Sequence, residues 1–400
     1  MRVAALAFGL LFCLGAVVDA FQTIILPRRP TGRLRITRLF YILTWAPWAA
    51  LARRMGNSKL REQCYSIYGP GSLLLLLVVW ALLLVSGFGL LFFALGTPFV
   101  DALGGPGVLA RLRTDLYVSG TTLFTLGLGD VVPRSLGARA VIVVESGTGL
   151  GFVSLVIGYL PVLYGAFSRR EVSVALLDGR AGSPPTSAEL LRRHAFTGGQ
   201  ETLAVLLVEW ERWAAELLES HVSYPILCYY RSQHDNQSWL SALTAVLDTC
   251  ALLISVVPGA ASRQAQLTFA MGRHALVDLG HVFHLEQREA EWKARGGVER
   301  LPPPSFNLLC GFMAEAGLRL CGDPDSAARL HALRALYESH AAALAGYLGM
   351  QLPAWVPEPR AKDQWKTVEA VRSQAAAILQ ETVVSDQATA LRLFAEDHPA

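Results

Sequence analysis

The chain has 400 residues, a net charge of only +3, and 17% charged against 52% hydrophobic side chains. A mean hydropathy of +0.37 is too apolar for an ordinary soluble domain, and so small a net charge singles out no polyanionic partner. The six cysteines, at 13, 64, 228, 250, 310 and 321, form no CxxC pair, which indicates reduced thiols rather than a zinc ribbon or a disulfide framework.

The apolar excess lies before residue 170. Residues 3–27 form a first run long enough to cross a bilayer, uncharged except for Asp19. Val18-Asp19-Ala20 loosely resembles a cleavage site, so a signal peptide is the competing reading. Residues 37–52 carry Tyr41, Trp45, Pro47 and Trp48 between flanking arginines. That composition predicts an interfacial helix on the cytoplasmic face; the alternative is a fourth span. Residues 71–95 form an uncharged second span, and 138–167 a third that contains Glu145.

Basic residues set the expected topology. Nine (Arg28, Arg29, Arg33, Arg35, Arg38, Arg53, Arg54, Lys59 and Arg61) lie between the first two spans. Three (Arg111, Arg113 and Arg134) lie between the second and third. The bias predicts a multi-pass cell-membrane protein with its N-terminus and its 96–137 loop outside, and everything after Arg170 in the cytoplasm.

The outer loop carries the most specific signal. Residues 97–110 are expected to be an irregular turret, and Arg113–Phe124 a short helix pointing into the membrane. Thr125-Leu126-Gly127-Leu128-Gly129-Asp130 follows. A selectivity filter needs consecutive backbone carbonyls aimed at one axis, and alternate glycines permit that ribbon. Span, pore helix, T-x-G-x-G-D and span resemble the pore module of potassium channels. The likeness is greatest to two-span bacterial channels and to the second pore loops of two-pore-domain channels. It covers roughly residues 71–168, with Ser119, Thr122, Thr125, Gly127, Gly129, Asp130 and Pro133 matching the family pattern.

The resemblance implies a passive channel rather than an enzyme, with no cofactor beyond permeant potassium. Thr125, Leu126, Gly127 and Leu128, with Gly129 closing the ribbon, would coordinate the ion, and Asp130 would gather cations at the outer mouth. One pore loop per chain implies a homotetramer in membrane lipid. Leu128 departs from the family: an aromatic there can hydrogen-bond into the surrounding protein, and leucine cannot. In the third span, Gly147 resembles a gating hinge and Pro161 offers a second bend; ordinary tight packing explains the same residues. Glu145 reads either as a ring of carboxylates near the filter or as a structural hydrogen bond to the pore helix.

The sequence divides into 1–36, an N-terminal span and basic loop; 37–70, an interfacial helix and cytoplasmic linker; 71–168, the pore module; 169–186, a second linker; and 187–400, an all-α cytoplasmic domain. Helical runs are expected near 201–219, 240–257, 262–296, 306–321, 325–349, 363–383 and 386–396. The 240–257 run is nearly apolar, but Asp248 at its centre favours a buried core helix over a span. The polar stretch 229–238 reads as an exposed loop or as a ligand or subunit contact. His274, Asp278 and His281 share one helix face at metal-ligand spacing, although solvated histidines give the same pattern. No dinucleotide fingerprint, EF-hand loop or nucleic-acid-binding basic run occurs. The histidine cluster and the large helical domain support a second reading: a membrane-tethered enzyme or sensor with a non-conducting, channel-like membrane domain.

Overall fold

The computed structural model describes residues 1–26, 35–101, 103–105, 107–233, 237–295, 300–321 and 325–357. It is an all-α membrane protein. Among the described residues three helices are long and apolar enough to cross a membrane: α1 (Arg2–Ile24), α3 (Ser58–Ala94) and α5 (Leu136–Ala181). Between them lie α2 (Ile36–Arg53), strand β1 (Phe99–Asp101), α4 (Val108–Leu123) and strand β2 (Val131–Pro133). The strands pair antiparallel, Phe99 opposite Pro133 and Asp101 opposite Val131. They replace the irregular turret expected over 97–110, and α4 begins at Val108 rather than Arg113.

α1 and α3 pack face to face at Gly9 and Gly87, where a Cβ on Gly87 would lie 2.5 Å from Cys13 Sγ. Only small residues allow that approach. Asp19 is buried at the far end of α1. It accepts hydrogen bonds from Trp80 Nε1 (2.9 Å), Thr37 N (3.0 Å) and Thr37 Oγ1 (2.5 Å). A carboxylate at the first turn of α2 satisfies a free backbone donor and opposes the helix dipole.

α2 packs on α3, and its Trp45, Ala49 and Ala52 enter the same core as the C-terminal helices. α3 starts at Ser58, not at residue 71, because the Asn57 side chain caps it (Lys59 N, 2.9 Å) and Tyr65 and Tyr68 are buried in that core. The linker expected at 169–186 is helical to Ala181. Val174, Leu177 and Ala181 bury one face of this extension, which outweighs the roughly 1 kcal/mol cost of Gly179 within a helix. The third span and the C-terminal helical domain therefore share one continuous helix.

The C-terminal helical domain comprises α6 (Ser187–Arg193), α7 (Gly199–Ser223), a 3-10 turn (Pro225–Tyr229), α8 (Trp239–Ser255), α9 (Ser262–Val282), α10 (Glu286–Ala294), α11 (Pro303–Glu315), α12 (Asp325–Ala335) and α13 (Glu338–Leu348). The run expected over 262–296 breaks where His284 adopts φ 53°, and that over 325–349 breaks between α12 and α13. The runs expected at 363–383 and 386–396 lie outside the described residues. α7 buries Leu203, Leu206, Trp210, Trp213 and Leu217, the apolar face read from its periodicity. α8 is a buried core helix. Its Asp248 pairs with Arg300 (2.5 Å) and accepts the Tyr337 hydroxyl.

Candidate functional site: the pore loop

α4 ends by handing its last carbonyls to the loop that follows. Thr125 N donates to Thr122 O (3.0 Å) and Leu126 N to Thr121 O (2.8 Å). Thr125 (φ 57°), Gly127 (φ 53°) and Gly129 (φ 77°) then occupy the left-handed region, and Leu126 and Leu128 between them do not. Alternating handedness rotates successive peptide planes in opposite senses, which turns consecutive carbonyls toward the same side. Glycine meets this at no steric cost, and a β-branched threonine only at some strain. The Leu126 and Leu128 side chains stand exposed.

Polar contacts hold the ribbon from behind. Tyr117 OH donates to Asp130 Oδ2 (2.7 Å), tying the pore helix to the last residue of the motif. Ser119 Oγ reaches Val85 O (2.9 Å) on α3 and donates to Glu145 Oε1 on α5. Near the outer strands, Thr97 Oγ1 donates to the buried Asp115 (2.9 Å), and Thr114 Oγ1 to Asp101 (2.5 Å). The Thr114 hydroxyl, then the Leu103 amide, hold the Asp101 carboxyl below its usual range.

Glu145 is fully buried between α4 and α5, its carboxylate facing the pore helix. Among the glycines of α5, Gly149 is the one pressed against another backbone, since a Cβ there would overlap the Leu123 carbonyl at the end of α4. A Cβ on Gly147 would meet nothing within 4 Å, and Pro161 lies inside the same unbroken helix.

Beyond the span, Arg170 of α5 is buried. It donates to Glu171 (2.8 Å), Leu227 O (2.9 Å) and Tyr230 O (2.9 Å), and contacts His221 Nε2 (3.1 Å). Burial, then the Arg170 charge, hold His221 well below the usual imidazole range, so the ring is neutral. The 229–238 stretch is not simply an exposed loop. Tyr229 is buried among Tyr41, Trp45, Tyr68 and Tyr347. Arg231 packs on the Tyr65 ring (4.6 Å) and bonds Leu348 O (2.6 Å). His234, Asp235 and Asn236 lie outside the described residues.

His274 and His281 straddle Asp278 at 3.6 and 4.0 Å, both rings more than half exposed. Among the described residues no group of three or more His, Cys, Asp or Glu side chains is arranged to hold a metal.

Three contributors escaped sequence reading. Tyr117 carries no local signal linking it to Asp130, since helix and loop must both be placed first. Arg170 was legible only as a topology marker. Gly149 was visible beside Gly147, but which of the two touches α4 depends on helix rotation.

Residues 79–163 match the family model described as "Ion channel". The chain is 27% identical over 243 residues to the "Uncharacterized membrane protein YdjJ" of Bacillus subtilis (strain 168), an alignment that covers 60% of this chain and 66% of that protein. No solved structure matches the chain. The membrane half thus carries an ion-channel module of the two-span, potassium-channel type.

Proposed function

We propose that the chain forms a homotetrameric, potassium-conducting channel in the cell membrane. The observation that carries this reading is the alternation of left-handed backbone at Thr125, Gly127 and Gly129. Facing carbonyls from four such ribbons replace an ion's hydration shell, which one ribbon alone cannot do. Thr125 to Gly129 form the filter, and Asp130 concentrates cations at its mouth. The exposed faces of Leu126 and Leu128 and the sparsely buried apolar window of α5 suit a surface completed by neighbouring copies and lipid. The arginine distribution supports a cytoplasmic location for α6–α13.

The cytoplasmic domain acts on the gate through α5. Arg170 fastens that helix to the 3-10 turn at Leu227 and Tyr230, so a domain displacement moves the inner helix directly, with Gly147 and Pro161 as points of bending. Flux assays on protein reconstituted in liposomes test the whole reading. Potassium should cross passively and faster than sodium. Gly127→Ala, which forces a Cβ into a φ of 53° at a cost of about 1–2 kcal/mol per chain, should reduce flux to background. Absence of flux from a verified wild-type tetramer would favour the non-conducting enzyme or sensor.

A further inference from the structure

A cavity of about 320 Å³ opens where the membrane half meets the cytoplasmic half. Ligand sites of this kind span about 300–1,000 Å³. Its walls come from both halves: the C-terminal end of α1, the first two turns of α2, the inner part of α3, Tyr159 of α5, and the 3-10 turn beside the end of α9. Leu73, Leu76, Ile42 and Ile226 make the interior apolar.

The polar side of the cavity is basic. Arg35 and Arg38 line it, one turn apart on α2. The Arg35 side chain is only 9% exposed. Its Nη2 donates to Thr23 Oγ1 (2.8 Å), while its Nε is buried with no acceptor and stands 3.8 Å from the nearest Asp19 oxygen. Asp19 offsets part of this charge, but its Oδ2 is already taken by Trp80 and Thr37. Arg38 adds a second, exposed cation.

Depth fixes the chemistry of the occupant. Leu73 and Leu76 lie at the end of the α3 apolar stretch nearest the cytoplasmic helices, and Gln22 and Thr23 at the matching end of α1. Apolar walls below a pair of arginines at a membrane boundary match a molecule with an acyl chain and an anionic head. We propose that this cavity binds an anionic phospholipid of the inner leaflet, its headgroup against Arg35 and Arg38 and an acyl chain against Leu73, Leu76 and Ile42. Tyr159, two residues before Pro161, forms one wall, and Tyr229 and Phe283 of the cytoplasmic domain form another. A bound lipid therefore touches the inner helix and the cytoplasmic domain together, and its occupancy biases how the two are held. The site stands whether or not the pore conducts.

Native mass spectrometry of the full-length protein in detergent, titrated with phosphatidylglycerol or with phosphatidylcholine of the same acyl chains, tests this. Phosphatidylglycerol should give a saturable adduct of one lipid per chain, about fivefold or more tighter than phosphatidylcholine, given the attraction of each basic side chain for an anionic lipid surface. Arg38→Gln alters an exposed side chain and should narrow the preference for phosphatidylglycerol by about fivefold. Ile42→Trp fills the cavity and should remove the adduct. Equal binding of the two lipids to the wild type would overturn the proposal, as would an adduct indifferent to both substitutions. Displacement of phosphatidylglycerol by millimolar inorganic phosphate would instead identify a free-phosphate site and reject the lipid.

Discussion

In α8 every residue except Ile254 is buried, whereas in the most apolar window of α5 only 11% of residues are. Both helices are strongly apolar, so composition does not separate them; partners do. α8 is enclosed by helices of its own chain, and even its one carboxylate is paired internally. α5 presents its apolar face outward and touches the rest of its chain mainly through α4 and, past the span, through the cytoplasmic core. The C-terminal helical domain is thus completed within one chain. The pore module is only half of its own surroundings, and its other half must be lipid or further copies.

The largest expected effect breaks the self-contained half. Burial pushes the Arg300 guanidinium down, but Asp248 outweighs it and leaves the group above its ordinary range. Burial likewise raises the nearby Glu338 carboxyl. Asp248→Ala would leave the buried Arg300 only Glu338 (3.4 Å) and the Pro353 carbonyl (2.8 Å), and the Tyr337 hydroxyl without its acceptor, at a cost of about 3–5 kcal/mol. Trp355 packs over Arg300 and Arg334, 5.5 Å from each. Tryptophan fluorescence, to which Trp210, Trp213, Trp239 and Trp355 of this domain contribute, should report early melting of this domain while the helical signal of the spans persists. Concerted loss of both signals would show that the two halves are not separable units.

The next test addresses the incomplete half. Gly149→Ala pushes a methyl into the Leu123 carbonyl and should cost about 1–3 kcal/mol in packing of α5 on the pore helix. Gly147→Ala, in open space, should be close to neutral for the same measurement, thermal melting of the membrane helices in detergent. The reverse ranking would make Gly147 the residue constrained by packing and remove it as a point of bending. Glu145→Gln belongs here too. With its carboxylate against Ser119, the substitution should leave the shape of the current–voltage curve unchanged.

What sequence could and could not supply follows the same division. The spans, the pore helix and the Thr125–Asp130 motif were legible because a bilayer imposes length and polarity, and alternating positive φ imposes glycine spacing, on contiguous residues. The α7 face and the buried character of α8 were legible from period and from Asp248. The continuation of α5 through Gly179 was not, because Leu177 and Ala181 favour helix only once α6–α8 exist to bury them. The strands at Phe99 and Val131 escaped for the same reason: two three-residue segments gain structure only from each other. Tyr117, Arg170 and Arg300 act across many residues of sequence, where no local pattern records the partner.

A third test exploits the joint between the halves. His221 is neutral when folded, and its depressed pKa means that the unfolded chain binds the proton more readily. Stability conferred by this burial is complete above about pH 6.5 and is lost as pH falls below it, by up to about 2 kcal/mol at pH 5. Melting of the cytoplasmic domain should therefore fall in temperature from pH 7 to pH 5, and His221→Gln should flatten the slope. Burial also lowers the His194 pKa, so a smaller slope of the same sign should survive. A wild-type profile flat over this range would mean that the Arg170 joint opens to water.

The smallest effect concerns the filter itself. Leu128 cannot brace the ribbon as an aromatic at that position would, yet Tyr117 grips the motif at its last residue through Asp130. If that contact does the bracing, Tyr117→Phe removes about 1 kcal/mol per chain while leaving the ring in place. Such a loss equals about a fivefold change in an equilibrium constant, so potassium-over-sodium permeability in liposomes should fall by up to about that factor, with total flux retained. Asp130→Asn keeps an acceptor for the tyrosine and removes the charge. It should preserve the permeability ratio and reduce flux at low salt, where screening is weakest. If Asp130→Asn lowers the ratio and Tyr117→Phe does not, the charge of Asp130 rather than its tether to the pore helix sets selectivity.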